Sequence, residues 1–383
     1  MKILFLDQSG QLGGAELCLI GLAKHYGNDC LVGLFAPGPF SQQLAAQQIP
    51  VEVLAAQPLN FQKQSGTLQA MKSLGQLWPL VQRVSRLSRE YDCIYANTQK
   101  ALVVGAIASR LSGKPLVYHL HDIISSEHFS RFGQQVIVTL ANQAALVIAN
   151  SLASQSAFIA AGGRAEITEV VYNGFDLAKY SAGEMAIAPP HSLKYDRLGA
   201  GDGFVVGHFS RLSPWKGQHV LIDALQHCPP QIKIVLVGSA LFGEESYVQQ
   251  LHTQIERLGL GDRVQFLGFR ADIPAIMSAC DLIAHTSTAA EPFGRVIVEG
   301  MLCDRPVVAA AAGGAVEIVR HSQTGWLTPP GDARKLAEII TTVYEQPERA
   351  KAIAQRGQQE AQKRFDLKTI NPQIDTLLSA VVA

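Results

Sequence analysis

The sequence predicts an α/β fold built from two doubly wound parallel sheets in tandem, and three observations carry that expectation. Short apolar runs alternate with stretches of helical spacing along most of the chain, and strands separated by helices form parallel sheets covered on both faces. The alternation fails once, between about Tyr180 and Gly203, where Pro189-Pro190 and Gly199, Gly201 and Gly203 leave no clear period. The length, 383 residues, suits two domains rather than one.

Taken in order, Lys2 to Asp7 reads as a buried strand. Ser9 to Gly14 is a Gly-rich turn into a helix from about Ala15 to His25. Cys30 to Phe35 and Val51 to Leu54 are the next strands. Leu68 to Ser88 has helical spacing, with Leu74, Leu77, Val81, Val84 and Leu87 on one face. Pro79 inside that stretch implies a helix start or a kink. Cys93 to Ala96, Pro115 to Leu120, Leu146 to Ala149 and Glu169 to Tyr172 complete the strands of a first domain, residues 1–180. Residues 181–203 are the connection.

The pattern then restarts over 204–366. Strands are expected at Phe204 to Phe209, Lys233 to Val237, Val264 to Leu267, Leu282 to His285 and Pro306 to Ala309. Helices are expected at Gln218 to Leu225, Tyr247 to Leu258, Ala333 to Tyr344, Arg349 to Arg364 and from Leu367 to the end. Two Rossmann-like units facing across a cleft result. In such sheets ligands sit at the carboxyl ends of the strands, so the loops that follow strands are where chemistry belongs.

Composition narrows the function. Apolar residues make up 48 % and charged residues 17 %, a globular balance rather than a disordered one. Lys plus Arg and Asp plus Glu both number 32, with 13 basic against 11 acidic residues in 1–180, so no basic face for nucleic acid is indicated. No apolar run reaches the ~18–20 residues of a membrane span. The six cysteines are scattered without a C-x-x-C, as expected of reduced core thiols in a cytoplasmic protein.

Five loop segments carry the candidate chemistry. Gly13 and Gly14 open the first helix, where backbone N–H groups can approach an anion, although G-x-G-x-x-G is not matched. His119-Leu120-His121-Asp122 ends a strand, with His119 and His121 on one face and His121 at the carboxyl end. A strand-end histidine is, taken alone, more often structural than catalytic. Arg211 and Lys216 flank a Pro-containing turn into a helix, a pair suited to a diphosphate. Glu291-Pro292-Phe293-Gly294 follows another strand, and Glu299 lies two turns into a largely apolar helix, where a carboxylate is costly unless it accepts hydrogen bonds. Seventeen glutamates make one such seven-residue spacing unremarkable by itself. Gly313-Gly314 offers a second backbone cradle.

In this order the segments resemble glycosyltransferase family 4, the retaining group with the GT-B fold. Gly13-Gly14-Ala15-Glu16, His121-Asp122, Asn173-Gly174-Phe175-Asp176, Arg211 with Lys216-Gly217, Glu291-Pro292-Phe293-Gly294 with Glu299, Gly313-Gly314 with Glu317, and Thr324-Gly325-Trp326 with Pro330-Gly331-Asp332 carry the resemblance over nearly the whole chain. The amino half is the weaker match.

The resemblance implies sugar transfer from a nucleotide-diphosphate sugar, a UDP-sugar first and a GDP-sugar next, to a carbohydrate or lipid-linked hydroxyl acceptor in polysaccharide, lipopolysaccharide or glycolipid synthesis. It implies that Arg211 and Lys216 hold the diphosphate, and that Glu299 accepts from the ribose. Glu291 is expected against the donor sugar, with backbone of Phe293 and Gly294 assisting. His121 reaches the sugar from the first domain, Gly13 and Gly14 approach the diphosphate or acceptor, and backbone around Phe269 brackets the base. It also implies that the last helix, about 367–383, returns to the first domain. No D-x-D occurs, in keeping with a site that needs neither metal nor cofactor. A catalytically silent partner subunit and a nucleotide-sugar epimerase on the same fold are the alternatives. The Leu68 to Arg89 stretch, with Lys72, Arg83, Arg86, Arg89 and Trp78, is a candidate for peripheral contact with the inner face of a membrane.

Overall fold

The computed structural model describes residues 1–55, 67–180, 203–241 and 243–383, with only the backbone over 67–76. The chain gathers into two units, Met1–Phe175 with Leu367–Ala383, and Asp176–Asp366. The segment Asp176 to Tyr180, which the sequence reading gives to the first domain, groups with the second unit. The expected connection at 181–203 lies outside the described residues, Gly203 aside.

The first unit holds strands β1 (Ile3–Asp7), β2 (Cys30–Leu34), β3 (Val51–Val53), β4 (Cys93–Ala96), β5 (Leu116–Leu120), β6 (Leu146–Ala149) and β7 (Thr168–Val170). They form one sheet in the order β3-β2-β1-β4-β5-β6-β7, parallel throughout. Ile3 to Leu6 of β1 are all buried, which is why they form an unbroken apolar run instead of an alternation. Helices α1 (Gly14–Tyr26), α2 (Pro39–Ala46), α3 (Thr67–Leu87), α4 (Gln99–Ser112), α5 (Arg131–Ala141) and α6 (Leu152–Ala160) connect the strands. The α3 helix continues through Pro79, so the proline neither starts nor ends it.

The second unit repeats the plan with β8 (Phe204–Phe209), β9 (Ile232–Val237), β10 (Val264–Gly268), β11 (Leu282–His285), β12 (Val307–Ala310) and β13 (Trp326–Thr328). Their order is β10-β9-β8-β11-β12-β13, again all parallel. Its helices are α7 (Gln218–Leu225), α8 (Glu245–Arg257), α9 (Ile273–Ala279), α10 (Arg295–Leu302), α11 (Ala315–Ile318), α12 (Ala333–Glu345) and α13 (Pro347–Phe365). Strand β13 and helices α2 and α9 have no counterpart in the sequence reading. They are short, at three, eight and seven residues, and the prolines in the first turns of α2 and α9 are start signals. All six cysteines are buried thiols.

The last helix, α14 (Leu367–Val382), belongs to the first unit. Its Leu367 N–H donates to the Phe175 carbonyl at 3.0 Å, so the Asn173-Gly174-Phe175 segment anchors its start. Any side chain at Gly174 would fall 2.6 Å from Leu367 Cδ2. Ile370, Ile374 and Leu378, spaced by four, are buried against the β1 face of the sheet and α1. Asp375 accepts from His25 at 2.7 Å and from the Tyr26 hydroxyl at the end of α1.

Leu378 is 0 % exposed, so Leu378→Ala is expected to cost about 2–5 kcal/mol in urea unfolding, the range for emptying a well-packed leucine site. A loss below about 1 kcal/mol would show that α14 does not share the core of the first unit.

Candidate active site

In the second unit the strand order reverses between β8 and β11, and the loops leaving those two strands hold the charged cluster. After β8, Pro214-Trp215-Lys216 makes one 3₁₀ turn and Gly217 opens α7. Gly217 has φ +72° and a Cβ there would lie 1.9 Å from the Thr286 carbonyl oxygen, so only glycine lets this turn dock on the end of β11. The Thr286 hydroxyl donates to the Gly217 carbonyl at 2.8 Å. His208 Nε2 lies 3.0 Å from that hydroxyl and 3.2 Å from the Lys216 carbonyl, which can only accept, so Nε2 carries the hydrogen. Burial, with His285 nearby, pushes His208 down to about 3, so it stays neutral.

The turn delivers Lys216 to Glu291. Nζ donates to both carboxylate oxygens at 2.8 Å, with the side chains only 16 % and 14 % exposed. Ser287 donates to Glu291 Oε2 at 2.9 Å, and His285 Nε2 lies 3.3 Å from the same oxygen. Burial pushes the Glu291 carboxyl up, but Lys216 and His285 together outweigh it and hold the group well below the ordinary carboxylate range. Lys216 Nζ also sits 3.9 Å over the Trp215 ring. The Glu291 backbone is fixed from the other side: its carbonyl accepts from Gly314 N–H at 2.8 Å, and Gly313, at φ +61°, would place a Cβ 2.1 Å from that oxygen.

Arg211 lies elsewhere in the same loop, its Nε 3.7 Å from Glu244 Oε2, while Ser213 donates to Glu244 Oε1 at 2.7 Å. Glu299 is met from within its own helix by Arg295, four residues earlier, at 3.2 Å. The Phe293 side chain is core, packed edge-on to Phe365 with centroids 5.6 Å apart. What that residue presents is backbone, ahead of Gly294 at φ +97°. Phe269, just past β10, is 71 % exposed.

In the first unit the reversal lies between β1 and β4. Gly13 precedes α1 and Gly14 begins it, both exposed. A Cβ at Gly13 would lie 2.8 Å from Glu16 Oε2, so glycine leaves room for that carboxyl to fold back over the helix start. Asp7, at the end of β1, accepts from Ser9 N–H at 2.8 Å and from Asn97 Nδ2 at 2.7 Å. His121, one residue past β5, lies 3.0 Å from Asn97 Oδ1 through Nε2. Asp122 accepts from Gln99 at 2.9 Å. Burial raises Asp7 to about 6, and burial with the nearby Asp7 raises Glu16 to about 8.

Residues 12–179 match the profile described as Glycosyltransferase Family 4, and residues 196–360 match Glycosyl transferases group 1. A solved structure, Anabaena Alr3699/HepE in complex with UDP-glucose, is 60 % identical across 99 % of this chain and 100 % of its own, with a TM-score of 0.90. The chain belongs to glycosyltransferase family 4. Its two Rossmann-like parallel sheets are those of the GT-B fold. A GDP-mannose-dependent α-(1-6)-phosphatidylinositol monomannoside mannosyltransferase of Mycolicibacterium smegmatis is 27 % identical over 78 % of this chain and 79 % of its own length. The putative glycosyltransferase EpsD of Bacillus subtilis is 29 % identical over 45 % of each chain, so this glycosyltransferase spans about half the length of that relative.

Against the sequence reading, the structure brings Lys216 and Glu291 into direct contact, where the sequence assigned them separate partners. It gives Arg211 a carboxylate neighbour, Glu244, and Glu299 a guanidinium one. Glu244, His285, Ser287, Asp7 and Asn97 were missed. His285 and Ser287 were legible as alternate residues leaving one strand, and Arg295 as the i−4 neighbour of Glu299.

Lys216→Ala is expected to destabilise by about 3–5 kcal/mol, because it strands a buried carboxylate. Glu291→Gln in the same chain should restore most of that loss. The depressed carboxyl adds stability that is complete above its ordinary value of 4.5 and disappears as pH falls through the folded value. Unfolding of both variants across acid pH checks the pair, and a Lys216→Ala loss that Glu291→Gln leaves unchanged would contradict it.

Proposed function

We propose that this protein transfers a hexose from a nucleotide-diphosphate sugar to a hydroxyl acceptor with retention of anomeric configuration, UDP-glucose being the first donor to try. The observation that carries the donor is the 60 % identical Anabaena protein, solved with UDP-glucose and, separately, with UDP and glucose together. Those two products are what cleavage of the sugar–phosphate bond with water as acceptor would leave.

The roles follow the charges. Lys216 and Arg211 would bind the diphosphate and stabilise the negative charge that grows on it as the glycosidic bond breaks. In their present contacts both cations face carboxylates, so the incoming diphosphate competes with Glu291 for Lys216 and with Glu244 for Arg211. Glu291, released from part of its ion pair, would accept from hydroxyls of the donor sugar, with backbone N–H groups of Phe293 and Gly294 beside it. Glu299 would accept from the ribose hydroxyls, and backbone at Phe269 would flank the base. His121 and the Gly13-Gly14 turn are the contribution assigned to the first unit. No residue here is cast as a nucleophile. The leaving diphosphate takes the acceptor proton on the face it departs from, so positioning and electrostatics do the catalysis. The two cations serve where a metal would in other transferases, and the proposed reaction needs none.

The acceptor is proposed to be a glycan, free or lipid-linked, met at the cytoplasmic face of a membrane. The observation toward a surface contact is Trp78 on α3, 49 % exposed. Arg83 is already committed to Glu52 and to the Leu54 carbonyl, which leaves Arg86 and Arg89 among the described side chains of the basic set; the Lys72 side chain lies outside them. Among the described residues no helix is long and apolar enough to cross a membrane.

Titrating UDP, GDP, ADP, dTDP and their sugar conjugates tests the donor. UDP and UDP-glucose are expected to bind, and Lys216→Ala to weaken them by roughly 2–5 kcal/mol, the cost of removing one partner of a buried charge pair. Glu299→Ala should weaken nucleoside diphosphates while sparing inorganic diphosphate. Unchanged affinities in both variants would place the donor elsewhere. Turnover should survive chelator, and the product of an α-linked donor should be α-linked by NMR. A strict metal requirement or an inverted product would refute the mechanism.

A further inference from the structure

We infer that Asn97 is a positioning residue that holds His121 in the tautomer with its hydrogen on Nε2, and that Asp7 and the Ala15 carbonyl orient Asn97 for that task. The inference rests on the reading of His121 as a residue of the transfer reaction.

Asn97 follows β4 and is 1 % exposed. Its backbone N–H donates to the Leu6 carbonyl at 2.9 Å, which seats it beside the end of β1. Its side-chain amide has three neighbours. Asp7 Oδ2 lies 2.7 Å and the Ala15 carbonyl 3.2 Å from Nδ2, and His121 Nε2 lies 3.0 Å from Oδ1. A carbonyl oxygen can only accept, and so can an ionised carboxylate. The amide nitrogen must therefore face Ala15 and Asp7, and the amide oxygen must face the imidazole. Flipping the amide would set its oxygen against the Ala15 carbonyl, acceptor to acceptor, whatever the protonation of Asp7. Because Oδ1 cannot donate, the 3.0 Å contact requires the hydrogen on His121 Nε2, and Nδ1 becomes the accepting nitrogen of the neutral ring.

Two further contacts hold the arrangement. Asp7 is itself pinned, its Oδ1 accepting from Ser9 N–H at 2.8 Å, so it cannot turn away from Asn97. The His121 ring lies against the His119 ring with centroids 3.9 Å apart and planes 36° apart. His119 is anchored in turn by the Tyr95 hydroxyl, 2.8 Å from its Nδ1, and burial keeps it neutral. Rotating His121 would give up both the stack and the amide bond. In that tautomer Nδ1 can only accept, so any group that bonds to it must donate.

Histidine-¹⁵N NMR of the full-length protein tests this without a substrate, with the His121→Gln spectrum assigning the signal. The expected spectrum has Nε2 protonated and Nδ1 bare at a pH where the ring is neutral. A protonated Nδ1, or a fast-exchanging mixture of tautomers, would overturn the inference with no variant of Asn97 needed. In Asn97→Leu, which keeps the volume and removes the amide, the two tautomers should mix. Turnover should then fall roughly 10- to 100-fold, as for other residues that orient a functional imidazole, with affinity for UDP, which lacks the sugar, unchanged. A retained Nε2–H signal in that variant would also overturn it. Turnover unaffected by His121→Gln would instead remove His121 from the reaction, an outcome the wild-type spectrum keeps separate from the tautomer.

Discussion

Both sheets reverse their strand order beside their first strand, and the chemistry of this protein hangs on that reversal. Parallel strands must be joined by crossovers of one hand, so strands added to opposite sides of β1 or β8 send their connections to opposite faces. Between β1 and β4, and between β8 and β11, that divergence opens a crevice at the carboxyl ends. Loops can meet there backbone to backbone, and they do. The Lys216-Gly217 turn docks on Thr286, and Asn97 docks on Leu6 and Asp7. Glycine is needed at Gly217 and Gly313 because backbone approaches backbone at these points with no room for a side chain.

The two reversals carry opposite electrostatics. Beside β8 and β11, Glu291 is buried with a cation, and the pairing outweighs burial, so it stays ionised. Beside β1 and β4, Asp7 and Glu16 are buried with each other, and burial wins. Their raised values mean that the fold favours the protonated forms. The stability they add is present in acid and is lost as pH rises through about 6 and about 8, the reverse of Glu291. A site for a diphosphate needs fixed positive charge, which the second unit supplies. A site for uncharged hydroxyls needs donors and acceptors of set direction, the role proposed for the Asp7–Asn97–His121 chain of the first.

The pairing of Lys216 with Glu291 also bears on how a donor is received. Without a ligand, each keeps the other's desolvation from being uncompensated. In the proposed reaction a diphosphate would replace the carboxylate as partner of the ammonium, and sugar hydroxyls would replace the ammonium as partners of the carboxylate.

Much of this was legible in the sequence, because it is local. Unbroken apolar runs such as Ile3 to Leu6 and Ile234 to Val237 announce strands buried on both faces, and periodic helices between them announce a parallel sheet. The glycines, the strand-end histidine and the Arg211, Lys216, Glu291 and Glu299 set stand in loops or helix starts that local pattern can find. Of the short elements, β13 and α9 were not read, a seven-residue helix spanning less than two turns and so marking its apolar face weakly. Nor were the partners. Lys216 and Glu291 are 75 residues apart in the chain, and Asn97 is 90 from Asp7 and 24 from His121. Periodicity determines which face of an element is apolar, but strand order determines which loops become neighbours. Thus the amino-acid sequence determined two doubly wound units and the residue types at their strand ends. Only the folded sheets decided that one buried carboxylate is held well below the ordinary range, that two others are raised above it, and which groups face the His121 imidazole.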